Sequence, residues 1–212
     1  RMIVPEIFWP FTFKLDGEEV GTLVRWIAHD AQIYGGNSGG PLVNLLGQIV
    51  GINEISLGLG GAIPANLAKS VAEQLIAGGQ VKRSWAGIEA QPRLKDSPLA
   101  QGVLVGGVIK ESPAAQAGLV PGDVIVEFDG TAVDCRIAED LPIFNRLVLS
   151  VPIGKAVPVR FRRGGEEKSA TLTTLARERS VADDQELRAW GITARDFTLM
   201  SALEHTRPDK KG

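Results

Sequence analysis

Apolar residues in this chain come in short bursts broken by glycine, proline and asparagine, a pattern that predicts strands more often than helices. Leu42, Val43, Leu45, Ile49, Val50 and Ile52 flank Asn44-Leu45-Leu46-Gly47 and predict a hairpin. Phe8 to Phe13, before a turn at Asp16-Gly17, predict earlier strands. A helix is expected from about Leu67 to Ala77, ending at Gly78-Gly79. Further on, Gly102-Val103-Leu104-Val105 with Val108-Ile109 alternates like a strand. Ser112 to Leu119 predicts a short helix capped by Gly118. Pro121-Gly122-Asp123-Val124-Ile125 predicts a turn and core strand, and Phe128-Asp129-Gly130 a hairpin turn. Ile137 to Val148 is expected to be helical, with Pro142 in its first turn and Leu141, Phe144 and Leu147 or Val148 facing inward. Val157 to Phe161 and Ser169 to Leu175 then pair across Arg163-Gly164-Gly165-Glu166.

The chemistry concentrates at Gly36-Asn37-Ser38-Gly39-Gly40-Pro41. A serine hydroxyl set among glycines suits a nucleophile, because attack on a peptide carbonyl creates an oxyanion that main-chain N–H groups can hold. Gly36 and Ser38 are the expected donors. The glycines allow a sharp bend and keep Cβ atoms away from the scissile bond. A phosphate loop would need a Gly-Lys-Ser/Thr ending, which is missing. An α/β-hydrolase elbow would need G-x-S-x-G before a long helix, whereas Pro41 and a strand-like run follow here.

The run Asp30-Ala31-Gln32-Ile33-Tyr34-Gly35-Gly36-Asn37-Ser38-Gly39-Gly40-Pro41-Leu42-Val43-Asn44 resembles the HtrA/Deg family of trypsin-fold serine proteases. The likeness continues through Ile49-Val50-Gly51-Ile52-Asn53 and Gly61-Ala62-Ile63-Pro64-Ala65-Asn66. It implies a mainly β chain: a partial trypsin-like β-barrel (the second-barrel portion) over residues 1–79, then an α+β PDZ domain over 80–177. A polar linker and a possible start of a second PDZ domain would fill 178–212. In that second part Ser84-Trp85-Ala86-Gly87-Ile88 resembles the loop that captures a peptide carboxylate, so Trp85, Ala86, Gly87 and Ile88 are the expected peptide-binding residues. Leu187 to Asp196 resembles the first strand of another such module through Trp190-Gly191-Ile192, and equally reads as a disordered or helical tail.

The resemblance also implies a catalytic histidine and aspartate from a first barrel upstream of Arg1. Fewer than 40 residues before the serine cannot build that barrel, so the chain is expected to carry nucleophile and oxyanion loop without the full triad. Its two histidines fit poorly as bases. His29 and Asp30, as neighbours on an extended segment, point to opposite sides, and His29 is expected in a loop or at the surface. His205 lies in a charged tail. The substrate pocket is expected to involve Gln32, Ile52 and Asn53; family members usually carry a small apolar residue where Gln32 stands, and Asn-Pro where Tyr34-Gly35 stands.

Net charge −2 and 44% hydrophobic content leave no basic face for nucleic acid. No run of about 18 apolar residues suggests a membrane span. Cys135, the one cysteine, is expected to be a partly buried packing residue. No metal or cofactor is expected. The partners implied by the resemblance are unfolded or extended polypeptides and peptide C-termini, with homo-oligomers in the full-length protein and a periplasmic or envelope setting. The competing class is a pseudo-protease or scaffold that binds peptides without hydrolysis.

Overall fold

In a computed structural model the described residues are 3–7, 14–15, 18–19, 23–56, 58–179 and 182–204. The expected strands at Phe8 to Phe13, the Asp16-Gly17 turn and His205 lie outside them. Strand β1 (Ile3–Ile7) precedes a small ribbon of β2 (Lys14–Leu15) and β3 (Glu18–Glu19). It pairs with β4 (Trp26–His29) in an antiparallel sheet that continues through β5 (Pro41–Val43), β6 (Ile49–Ser56) and β7 (Gly60–Pro64) in the order β1-β4-β7-β6-β5. The predicted hairpin behind Ser38 is present as β5 and β6, with Pro41 opposite Ile52 and Leu42 opposite Gly51. Leu46 sits at its exposed tip as expected, and Leu45, counted among the apolar runs, is exposed there beside it. Helix α1 (Ala65–Gly78) starts two residues earlier than expected and stops at Gly79, whose left-handed φ of 71° lets its N–H reach Leu75 O. Val24, Trp26 and Ile55 form the small core of this part, covered by Ile63 and Leu67.

The second part is built around six strands. Strand β8 (Ser84–Trp85) leads into β9 (Ile88–Pro92), then β10 (Val103–Val108), α2 (Pro113–Gln116), β11 (Val124–Phe128) and β12 (Thr131–Ala132). A 3-10 turn at Ala138–Asp140 opens α3 (Leu141–Ser150), with Pro142 in the first turn where its missing N–H costs no helical bond. Strands β13 (Ala156–Arg163) and β14 (Glu166–Thr173) pair across Gly164-Gly165, both at positive φ. The sheet order is β14-β13-β11-β10-β9, with β12 beside β11, and β15 (Leu175–Ala176) returns to pair with β8. Val103, Val105, Ile125, Phe128, Val157, Val159 and Phe161 alternate inward, and Phe144 of α3 meets Phe128 edge-on at 5.8 Å. Cys135 lies fully buried in this core.

Two expectations change here. Gln185-Glu186, read as linker, belong to β16 (Gln185–Leu187), which pairs with β17 (Ile192–Ala194); Trp190-Gly191 forms the turn of this exposed hairpin. Helix α4 (Leu199–Glu204) follows. No helix among the described residues is long and apolar enough to cross a membrane.

Candidate active site and peptide groove

Ser38 stands in a loop tied to the sheet by its own main chain. Gly39 N–H donates to Asn53 O at 2.7 Å, and Asn53 N–H donates to Gly40 O at 2.9 Å. Asn37 N–H closes a turn on Tyr34 O, and Gly40 N–H closes one on Asn37 O, both at 3.0 Å. Gly36 (φ 98°) and Gly39 (φ 86°) occupy the left-handed region that side chains disfavour, so the glycines of the motif have a conformational cause. The Ser38 hydroxyl is exposed and donates to Glu54 O on β6 at 3.0 Å. The Glu54 carboxyl is half-buried, its Oε2 has no partner, and burial raises its pKa above the ordinary 4.5.

His29 corrects the sequence reading. It is neither loop nor surface: it ends β4, is 2% exposed, and its Nε2 lies 3.1 Å from Asn53 Oδ1. Pairing of β4 with both β1 and β7 places it inside the sheet, and Gly60 opposite leaves room for its ring. A Cβ at Gly60 would stand 2.2 Å from the ring's Cε1. Gln32 is exposed near the Ser38 loop, and its Oε1 accepts from the Tyr34 hydroxyl at 2.5 Å. Ile52 and Asn53 lie half-buried on β6, with Asn53 holding both the loop and His29. Sequence reasoning missed Glu54 and the buried state of His29; neither carries a local signal.

The other predicted set lies at β8 and β9. Gly87 has φ 76°, and a Cβ there would fall 2.1 Å from Ser112 Cβ, so the close turn excludes any side chain. Ala86 O accepts from Ala114 N at 2.9 Å and Gly87 O from Ile109 N at 3.0 Å, which fixes the loop against α2. The Ser84 hydroxyl donates to Val148 O of α3. Ala86 is buried, while Trp85 and Ile88 are half-buried. Strand β9 is the terminal strand of its sheet, pairs with β10, and has α3 packed against it. An open strand edge beside a helix is where an extended peptide can add as a further strand.

This second architecture is that of a PDZ domain, and a PDZ family model matches residues 84–174. The chain belongs to the HtrA/Deg family of trypsin-like serine proteases. It is 40% identical over 163 residues to a probable periplasmic DegP-like serine endoprotease of Halomonas elongata, covering 71% of this chain and 33% of that protein. A relative with the same description from Pseudomonas savastanoi pv. phaseolicola is 37% identical over 206 residues, covering 90% of this chain and 42% of that protein. Among solved structures, an HtrA-type protease AlgW with a tripeptide aligns with TM-score 0.65 and 31% identity over 79% of this chain and 58% of that one. The serine endoprotease of Yersinia pestis aligns with TM-score 0.55 and 34% identity over 73% of this chain and 53% of that one. The chain thus spans about a third to two fifths of the length of these curated relatives.

Proposed function

We propose that the full-length protein is a periplasmic serine endopeptidase in which Ser38 attacks peptide bonds of unfolded or extended polypeptides. The observation that carries this reading is the Ser38 loop: an exposed hydroxyl in a glycine turn whose Asn37, Gly39 and Gly40 amides are engaged in main-chain bonds. The intervening amides of Gly36 and Ser38 make no such bond among the described residues, which suits them to a developing oxyanion. Gln32, Ile52 and Asn53 border the path of the substrate. The general base and its carboxylate come from residues preceding Arg1, since His29 is buried and engaged with Asn53. Residues 80–177 form the PDZ domain, and Trp85 to Ile88 receive a peptide C-terminus while β9 accepts its strand. Residues 1–79 complete the protease part, and 178–212 lead toward a further module.

Labelling with a fluorophosphonate tests this on the full-length protein, its Ser38→Ala variant and the 212-residue chain. The expected outcome is Ser38-dependent labelling of the full-length protein alone. Labelling of the short chain would overturn the external base. A folded full-length protein that stays unlabelled would replace the protease with a peptide-binding scaffold.

A further inference from the structure

We propose that Glu89 gives the edge of β9 a preference for peptides that carry lysine or arginine just before the C-terminal residue; this rests on the peptide binding proposed above for the PDZ domain. Successive side chains of a strand point to opposite faces. On β9, Ile88 and Ala90 pack against the core to which Phe144 of α3 belongs, and Glu89 and Gln91 are exposed on the other face. The register of an added peptide follows from where its carboxylate is held. The Ala86 and Gly87 amides make no main-chain bond among the described residues, so donors for a carboxylate stand just before β9. The peptide then runs antiparallel to β9, with its last residue beside Ile88, the penultimate one beside Glu89 and the third-last beside Ala90. Opposed residues of an antiparallel pair share a face. The last and third-last side chains therefore meet the apolar side next to α3, and the penultimate one meets Glu89.

The Glu89 carboxylate makes no ion pair or hydrogen bond among the described residues. It lies over Gly107 of β10, its partner in the strand pairing, where a Cβ would collide with Oε2. An exposed side chain resting on bare backbone turns between rotamers within nanoseconds, so the carboxylate reaches a cation on the added strand as well. The next charged residue along the chain, Arg93, is taken by Asp134 Oδ1 at 3.0 Å and does not compete. A lysine or arginine opposite Glu89 gains a cross-strand ion pair, an acidic residue there is repelled, and an apolar one meets neither effect.

The test uses the full-length Ser38→Ala protein, which binds without turnover, and peptides with a free C-terminal valine that differ only in the penultimate residue: Lys, Ala or Glu. Fluorescence anisotropy at low salt is expected to give a Kd about threefold lower for the Lys peptide than for the Ala peptide, the scale of an exposed ion pair, with the Glu peptide weaker than both. The differences should shrink at roughly 0.5 M salt. Glu89→Lys, on an exposed side chain, should keep the fold and reverse the order. Lysine moved to the third-last position should give no gain, which separates pairing with Glu89 from attraction to the net negative charge of the chain. Equal binding of the Lys and Glu peptides overturns the proposal, as does a lysine preference that survives Glu89→Lys. An amidated Lys peptide tests the underlying reading by itself. Binding that does not weaken on amidation removes carboxylate capture and the register with it, whereas a missing lysine preference with capture intact removes only the role of Glu89.

Discussion

Cys135 and Ser38 differ most in what surrounds the reactive atom. The Cys135 thiol is fully buried and donates to Ile137 O at 3.3 Å; burial first, then the negative charges of Asp140 and Asp134, push its pKa from 9.0 up to about 12. A thiol-alkylating reagent at pH 8 is therefore expected to leave the folded chain unmodified and to react after denaturation. The sign of the linked effect follows from the raised value. The unfolded thiol ionises first while the folded one keeps its proton, so stability falls as pH rises from about 9 toward 12. Denaturant titrations between pH 8 and 10.5 should show that slope, and it should flatten in Cys135→Ala. At this scale the Ser38 motif was legible because its glycines answer to local backbone geometry. The state of His29 was not, because burial depends on β1 and β7 lying on either side and on Gly60, 31 residues away, presenting no side chain.

Among the elements, β13 and the turn before β11 are joined by one ion pair that burial makes costly to break. Arg163 donates to both carboxylate oxygens of Asp123, at 2.6 and 2.7 Å, and to Gly118 O at 2.7 Å. Asp123 is fully buried and also accepts from Val120 N at 2.9 Å. Arg163→Ala would strand that carboxylate, and a lower midpoint in a urea titration is expected. Most elements here could be read from the chain: the Gly164-Gly165 turn, Pro142 at the start of α3, and the Ser112 cap whose hydroxyl accepts from Ala115 N at 3.2 Å. β14 extends back to Glu166, beyond the expected start at Ser169, because its outer face is polar and takes cross-strand ion pairs such as Arg160 with Glu167. The β16–β17 hairpin escaped for a related reason: its strands are exposed on both faces, so no apolar alternation marks them.

For the whole molecule, the peptide binding proposed at the open edge of β9 can be tested apart from Ser38. An extended peptide with a free C-terminal carboxylate is expected to shift the amide NMR signals of Gly87 and Ile88 and the strand β9, and the amidated peptide to bind at least about tenfold more weakly. Equal binding of both forms would remove the carboxylate from the recognition. The sequence by itself carried the family resemblance, through the motif around Ser38 and the run from Ser84 to Ile88, and it determined the glycine turns, caps and strand alternation, because those act over a few residues. Tertiary structure alone decided which polar groups are buried and what they meet: His29 on Asn53, Glu54 O under Ser38, Asp123 under Arg163. Such pairings join residues 16 to 40 positions apart. They exist only once strand register brings distant segments together, and no local pattern along the chain encodes them.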